Sequence, residues 1–223
     1  IPYEAAMDAS DKARMRARLS AAGVPVPAWA AGSVADDPYL LAGSIGTWPL
    51  VVKPVDNMGA RGCRLARSAG EFAGAWEDAL ANSRTGRAIV EAYLDGPEFS
   101  LDAIVVDGQV TIRGIADRLV TFSPFFVEMG HTMPTAYGDH VVEAVSEVFR
   151  DGIAALGITR GAAKGDIKYT RDGAVVGEIA NRLSGGSMSG WTYPYSSGID
   201  VTYEAIDNAC GLCHAPAGAA MRP

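Results

Sequence analysis

GAAKGDIKYTRDGAVVGEIANRLSGG, residues 161–186, is the stretch whose reading decides the fold. Arg171-Asp172-Gly173 is a turn signal between two runs of strand-forming residues, so the stretch reads as a β-hairpin running out into a Gly-rich loop. With a three-residue loop and Gly173 in the left-handed conformation, Thr170 faces Ala174, Lys168 faces Val176 and Asp166 faces Glu178. Side chains alternate along a strand. Lys164, Asp166, Lys168 and Glu178 then share one face, and Ile167, Tyr169, Val175 and Ile179 share the other. The apolar face suits helices, and the ionic face must look into a cleft. A two-residue turn at Asp172-Gly173 would slip the register by one and separate the acids.

Carboxylates opposed across a ladder lie about 5 Å apart at Cβ and repel. Such a pair persists when something positive lies between them. A hard divalent cation is the simplest agent, since Mg²⁺ takes one or two carboxylates plus substrate phosphates. Asn181 and Arg182 add a neutral oxygen and a fixed cation. A solvated hairpin of Asp–Lys and Glu–Lys pairs is the competing reading.

The Gly165-Asp166-Ile167-Lys168 and Gly177-Glu178-Ile179-Ala180-Asn181-Arg182 segments resemble the metal-binding end of the ATP-grasp superfamily, ATP-dependent carboxylate–amine or carboxylate–thiol ligases. The resemblance implies that Asp166 and Glu178 hold Mg²⁺ (or Mn²⁺) and that Arg182 stabilises the transferring phosphate. The pattern's Asn does not match by position: Ala180 stands there, and Asn181, one place late, is the residue the resemblance offers as a further metal ligand.

Composition sets the frame. The chain has 223 residues, 48% hydrophobic and 20% charged, with net charge −7. That is an ordinary globular balance without the basic face a nucleic-acid partner needs. Only four of the 19 basic residues are Lys: Lys12, Lys53, Lys164 and Lys168. No apolar run approaches the roughly 20 residues of a membrane span, and no signal-peptide core is visible, so a cytoplasmic protein without a membrane partner is expected. The chain opens on Ile1 rather than Met, and the expectation is a piece of a longer polypeptide. Cys210-Gly211-Leu212-Cys213-His214 fits the c-type haem pattern C-x-x-C-H. A helix end with two incidental thiols is the plainer reading.

Along the chain, Ser10 or Asp11 can cap a helix to Ala22 with Met15 and Leu19 on one face, closed by Gly23 and an extended Val24-Pro25-Val26-Pro27. Trp48 to Pro54 reads as a buried strand, Lys53 being either a snorkelling end residue or an anion ligand. In Asp56-Asn57-Met58-Gly59-Ala60-Arg61-Gly62-Cys63, glycines flanking Arg61 would let backbone N–H groups approach phosphate, or mark an ordinary turn. Ser68 to Glu71 is a capping box for a helix carrying Phe72, Ala75, Trp76, Ala79 and Leu80 inward. Arg87 to Tyr93 is a strand. Glu98 to Val106 and Gln109 to Asp117 form a hairpin about Asp107-Gly108. Arg118 to Tyr137 reads as a long binding loop. Asp139 to Leu156 is a helix ended by Gly157, and residues 215–223 look like a tail.

Three of these segments extend the resemblance. Asp11-Lys12 with the following helix and Gly-Val-Pro-Val-Pro resembles the entry to ATP-grasp domains. Val51-Val52-Lys53-Pro54 with its Gly loop resembles the phosphate segment, implying nucleotide contacts at Lys53, Gly59, Arg61 and Gly62. Glu91-Ala92-Tyr93-Leu94-Asp95-Gly96-Pro97-Glu98-Phe99-Ser100 resembles the hinge, implying adenine contacts at Glu91, Ala92 and Leu94 and ribose at Glu98. Place in the chain further implies a substrate contact at Glu128, Lys168 is a second candidate substrate residue, and the motif matches imply that Lys53 and Arg182 serve catalysis.

The implied fold is α+β: two lobes gripping the nucleotide, with an antiparallel sheet in the larger. The expected divisions are 1–25 leading helix and linker, 26–90 small lobe, 91–212 large lobe and 213–223 tail. The implied activity joins a small carboxylate to a small amine through an acyl phosphate, using ATP and Mg²⁺. A homo-oligomer stays open, as do an ATP-binding module without turnover and a phosphotransferase on the same fold. The family's usual preceding domain of about 100 residues is not seen.

Overall fold

The computed structural model describes residues 1–212. Cys213, His214 and the expected tail lie outside the described residues, so the C-x-x-C-H reading finds no structure to meet. Among the described residues no helix is long and apolar enough to cross a membrane.

Two helices open the chain, α1 (Tyr3–Ser10) and α2 (Lys12–Ala21). The Asp11 carboxylate caps α2 by accepting from the amides of Ala13 and Arg14 at 2.9 and 3.0 Å, as its residue type favours. The sequence reading finds α2 and misses α1. Strands β1 (Trp29–Ser33), β2 (Leu50–Pro54), β3 (Arg64–Ala66) and β4 (Arg87–Ala92) form an antiparallel sheet in the order β1-β4-β2-β3. Helices α3 (Pro38–Ile45) and α4 (Ala69–Ala81) pack against it through Leu50, Val52, Phe72, Trp76 and Val90. The α4 stripe is as read, but the capping box is not made. Ser68 gives no side-chain cap, and Glu71 accepts from the amide of Arg67, one residue too early, at 2.9 Å.

The second sheet holds β5 (Glu98–Val106), β6 (Gln109–Thr121), β7 (Val127–Thr132), β8 (Gly161–Thr170) and β9 (Gly173–Ala180). All are antiparallel, in the order β7-β6-β5-β8-β9. Asp107 (φ 49°) and Gly108 (φ 81°) make the two-residue turn read from sequence, the double positive φ of a type I′ hairpin. Helix α5 (Asp139–Ala155) backs the sheet, with Val145, Phe149 and Ile153 fully buried. Met15 and Leu19 of α2 enter the same core. The leading helix is therefore built into the larger sheet's interior.

Two expectations are corrected here. The β8–β9 turn is Arg171-Asp172, so Thr170 pairs with Gly173 and Lys168 with Val175. A β-bulge at Gly177 then absorbs one residue and restores Asp166 opposite Glu178. The turn and the bulge offset each other, so the acids are paired as read, while Val176 rather than Val175 enters the core. Residues 118–137 are also not one loop. Strand β6 runs on to Thr121 and returns as β7, an arm that crosses to the smaller sheet. There the Leu65 amide donates to the Pro124 carbonyl at 2.9 Å, Arg67 donates to the Ser123 hydroxyl at 2.6 Å, and the Arg64 guanidinium lies 5.3 Å from the Phe125 ring centroid.

After β9 come a π-helical turn (Met188–Thr192) and the helices α6 (Tyr193–Ser197) and α7 (Val201–Ala209), α7 capped by Asp200. This segment covers one end of the second sheet. The Tyr193 ring lies where a Cβ on Gly114 would have to sit.

Phe149→Ala should lower the unfolding free energy by about 3–5 kcal/mol in urea titrations. Val34→Ala, at a side chain 86% exposed, should change it by less than about 0.5 kcal/mol.

Candidate functional site

Antiparallel pairing fixes which side chains share the open face of the larger sheet. One row runs Lys168, Glu98, Arg118, His131, and the next runs Glu178, Asp166, Ser100, Ala116. A third row carries Ala180, Lys164 and Asp102. Facing these rows across a cleft of about 770 Å³ are Lys12, Lys53 and the Gly59–Arg61 loop. All four lysines of a chain with net charge −7 line this one cleft.

Glu91 sits where the two sheets meet. Its carboxylate is buried and bonded to Arg16 Nε and Lys53 Nζ, each at 2.7 Å. Burial pushes its pKa up, but the two cations outweigh burial and bring it down to about 2. Beyond Glu91 the chain crosses between sheets. The amides of Ala92 and Tyr93 donate to the carbonyls of Ala28 and Pro49 at 2.9 and 3.1 Å. Gly96 (φ 133°) passes so close to Tyr169 that a Cβ would lie 2.2 Å from its carbonyl oxygen. Lys168 donates to the Gly96 carbonyl at 3.1 Å and lies 3.5 Å from Glu98, which places it at this crossing.

At the paired acids, Asp166 is ion-paired to Lys164 and lies 3.3 Å from Arg118. Burial raises its pKa, and Lys164 and Arg118 more than reverse that. Glu178 is 3.6 Å from Lys12, whose ammonium also donates to the Asn57 carbonyl at 2.8 Å. Burial raises the Glu178 pKa, while Lys12 and Lys53 bring it below the ordinary value. Arg118 pairs in addition with Glu98 and, at 2.7 Å, with Glu128. His131 Nε2 lies 3.8 Å from Glu128.

The paired acids fit a divalent cation. Asp166 Oδ1 is buried and has no hydrogen-bond partner, a cost that a cation would remove. Among the described residues no group of three or more His, Cys, Asp and Glu could hold a metal. Two carboxylates therefore leave the remaining positions to other oxygens, the pattern Mg²⁺ shows with phosphates.

Of the residues singled out from sequence, Lys53, Gly59, Arg61, Glu91, Ala92, Leu94, Glu98, Glu128, Asp166, Lys168, Glu178 and Arg182 line the cleft. Gly62 and Asn181 are not among the lining residues. Gly62 (φ 69°) packs against the end of α4, where a Cβ would lie 2.7 Å from that of Asn82. Arg182 is exposed, and its guanidinium donates to the Leu183 carbonyl at 2.9 Å. Sequence reasoning put Lys164 on the ionic face without a role and assigned nothing to Arg16, Arg118 or Asp102. Asp102, buried in the sheet, accepts from the amide and hydroxyl of Ser184, both at 2.9 Å, and from Ser189 at 2.8 Å. It thereby anchors the loop after Arg182. The four-residue spacing of Lys12 and Arg16 was the available signal, since it puts both on one helix face.

Residues 46–190 match the family model described as ATP-grasp domain. The chain is 32% identical over 179 residues to "Uncharacterized protein y4rH" of Sinorhizobium fredii, covering 78% of this chain and 36% of that protein. It is 32% identical over 115 residues to D-alanine–D-alanine ligase of Pseudomonas putida, covering 49% of this chain and 35% of that protein. The solved structure of L-amino acid ligase from Bacillus licheniformis is similar with TM-score 0.80 and 24% identity, over 94% of this chain and 49% of that one. This likeness shows the two-lobed α+β fold. The chain spans well under half the length of these curated relatives.

Glu91→Gln leaves Arg16 and Lys53 without their anion and should cost about 3 kcal/mol at pH 7. A depressed carboxylate pKa gives stability that is complete above the ordinary value of 4.5 and fades toward about 2. The gap between wild type and variant in urea unfolding should therefore narrow as pH falls through that window, by up to about 1.4 kcal/mol per pH unit.

Proposed function

The chain belongs to the ATP-grasp family, and on that premise we propose that it is an ATP- and Mg²⁺-dependent ligase that activates a small carboxylate as an acyl phosphate and joins it to a small amine. One observation carries the reading. An acidic chain gathers all four of its lysines around two opposed carboxylates in a single cleft. A polyphosphate with its cation answers both halves of that arrangement.

In this reading the adenine lies along the crossing from Glu91 to Leu94. The Ala92 and Tyr93 amides are already bonded, so its edge is read by the remaining backbone groups. Glu98 takes the ribose hydroxyls, and Lys168 beside it orients that carboxylate. Lys53 and the Gly59–Arg61 loop meet the phosphates, and Lys12 and Lys164 lie within reach of the same charge. Asp166 and Glu178 would hold Mg²⁺ or Mn²⁺, and the bound ion would supply charge neutralisation on the phosphates; Asn181, outside the cleft lining, is not placed to join them.

The substrate carboxylate attacks the γ-phosphorus, ADP leaves, and the amine then displaces phosphate from the acyl group. Arg182 stabilises the transferring group once it turns from the Leu183 carbonyl. Glu128 receives the amine at the mouth formed by β7. No side-chain nucleophile is required, and the rate enhancement comes from position and fixed charge.

ADP release should depend on adding both a carboxylate and an amine, with free phosphate as co-product. Glu178→Gln should lower it by at least about 100-fold while leaving the urea midpoint near that of wild type. A stable phosphorylated product without free phosphate would make the protein a phosphotransferase instead. Mg²⁺-dependent ATP binding without ADP release from any carboxylate–amine mixture would favour a module without turnover.

A further inference from the structure

Among the described residues Arg16 is the largest fully buried side chain. It stands one helical turn after Lys12 on α2, so the two point the same way. Its Nε donates to Glu91 Oε1 at 2.7 Å, and its Nη2 donates to the carbonyl of Gly177 at 2.6 Å. Glu91 opens the crossing between the sheets, and Gly177 is the bulged residue immediately before Glu178. One guanidinium thus joins the adenine side of the cleft to the metal side.

The bulge decides where Glu178 points. With Ile167 opposite Val176, an unbroken ladder would set Gly177 opposite Asp166 and turn Glu178 to the face that holds Ile167 and Ile179. Only the extra residue returns Glu178 to the side of Asp166, because a one-residue slip reverses every side chain. The same strand is an edge of its sheet, so its outward groups need partners from elsewhere. The Val176 amide donates to the Pro25 carbonyl at 2.9 Å, and the Ile179 amide donates to the Met15 sulfur at 3.3 Å. The Gly177 carbonyl between them is met by Arg16. Gly177 itself admits no side chain, because a Cβ would lie 2.8 Å from the Asp166 carbonyl oxygen.

We infer that Arg16 is the positioning residue of the metal pair: its fork, held by Glu91, fixes the Gly177 bulge and thereby aims Glu178 at Asp166. Lysine cannot replace it, since one ammonium lacks the planar fork that spans two acceptors. The inference rests on the ligase reading only in taking Asp166 and Glu178 as the metal carboxylates. Positioning partners of this kind typically change metal affinity by 10- to 100-fold when removed.

The test is ATP binding by titration calorimetry, with wild type and Arg16→Lys compared over a series of free Mg²⁺ concentrations and in EDTA. Arg16→Lys should raise the half-saturating Mg²⁺ concentration by about 10-fold or more, with metal-free ATP affinity changed by less than about threefold. An unchanged Mg²⁺ requirement, or equal losses with and without Mg²⁺, overturns the inference. Should Arg16→Lys lack a cooperative unfolding transition, Arg16→Gln decides, because its amide can reach only one of the two acceptors and leaves Gly177 untouched. The selective Mg²⁺ loss supports the role and its absence ends it. A wild type whose ATP affinity ignores Mg²⁺ would instead remove the metal reading itself.

Discussion

A carboxylate taken out of water must bring its cation with it, and the Arg16–Glu91–Lys53 cluster is where this protein meets that requirement. Glu91 ends one sheet just before the chain enters the other. Arg16 comes from a helix packed into the larger core, and Lys53 from the smaller sheet. Three segments far apart in sequence are therefore held at one point by charge. An isolated charge in such a place would cost several kcal/mol, so the cluster stands or falls as a unit. The sides of the cleft take their spacing from it.

The same logic runs outward along the open face. Four acids there have a basic neighbour: Asp166 has Lys164 and Arg118, Glu178 has Lys12, Glu98 has Lys168, and Glu128 has Arg118. The cations beside Asp166 and Glu178 hold those two carboxyls below their ordinary pKa in a half-dry site. On the proposed ligase reading the pairs are also exchangeable, since polyphosphate and a divalent ion would take over both sets of partners without leaving a charge unpaired.

What sequence alone could show follows from the range of each signal. The Asp166–Glu178 hairpin, the Glu91–Glu98 crossing, the Lys53 strand and the Asp107-Gly108 turn are local patterns, and each appears where its residues imply. The partners of Arg16 and Arg118 were out of reach, lying 75 residues away in one case and on two neighbouring strands in the other. The hairpin register was recovered through two offsetting features. A tighter turn moved the ladder by one, and Gly177, which looked like any strand glycine, moved it back. Only the resulting exchange of Val175 for Val176 in the core exposes the difference. Helix α1 and strand β1 carry weak periodicity and take their form from what they pack against.

The β6–β7 arm gives the molecule a second tether. The lobes are continuous through Glu91–Glu98 on one side, and Pro124 and Ser123 are bonded to Leu65 and Arg67 on the other. A jaw fastened at a single corner swings open like scissors. One fastened at both corners can only rock about the line between its fixings. Leu65 and Arg67 follow the glycine-rich loop directly in the chain, so that loop and the arm carrying Glu128 share one mechanical connection.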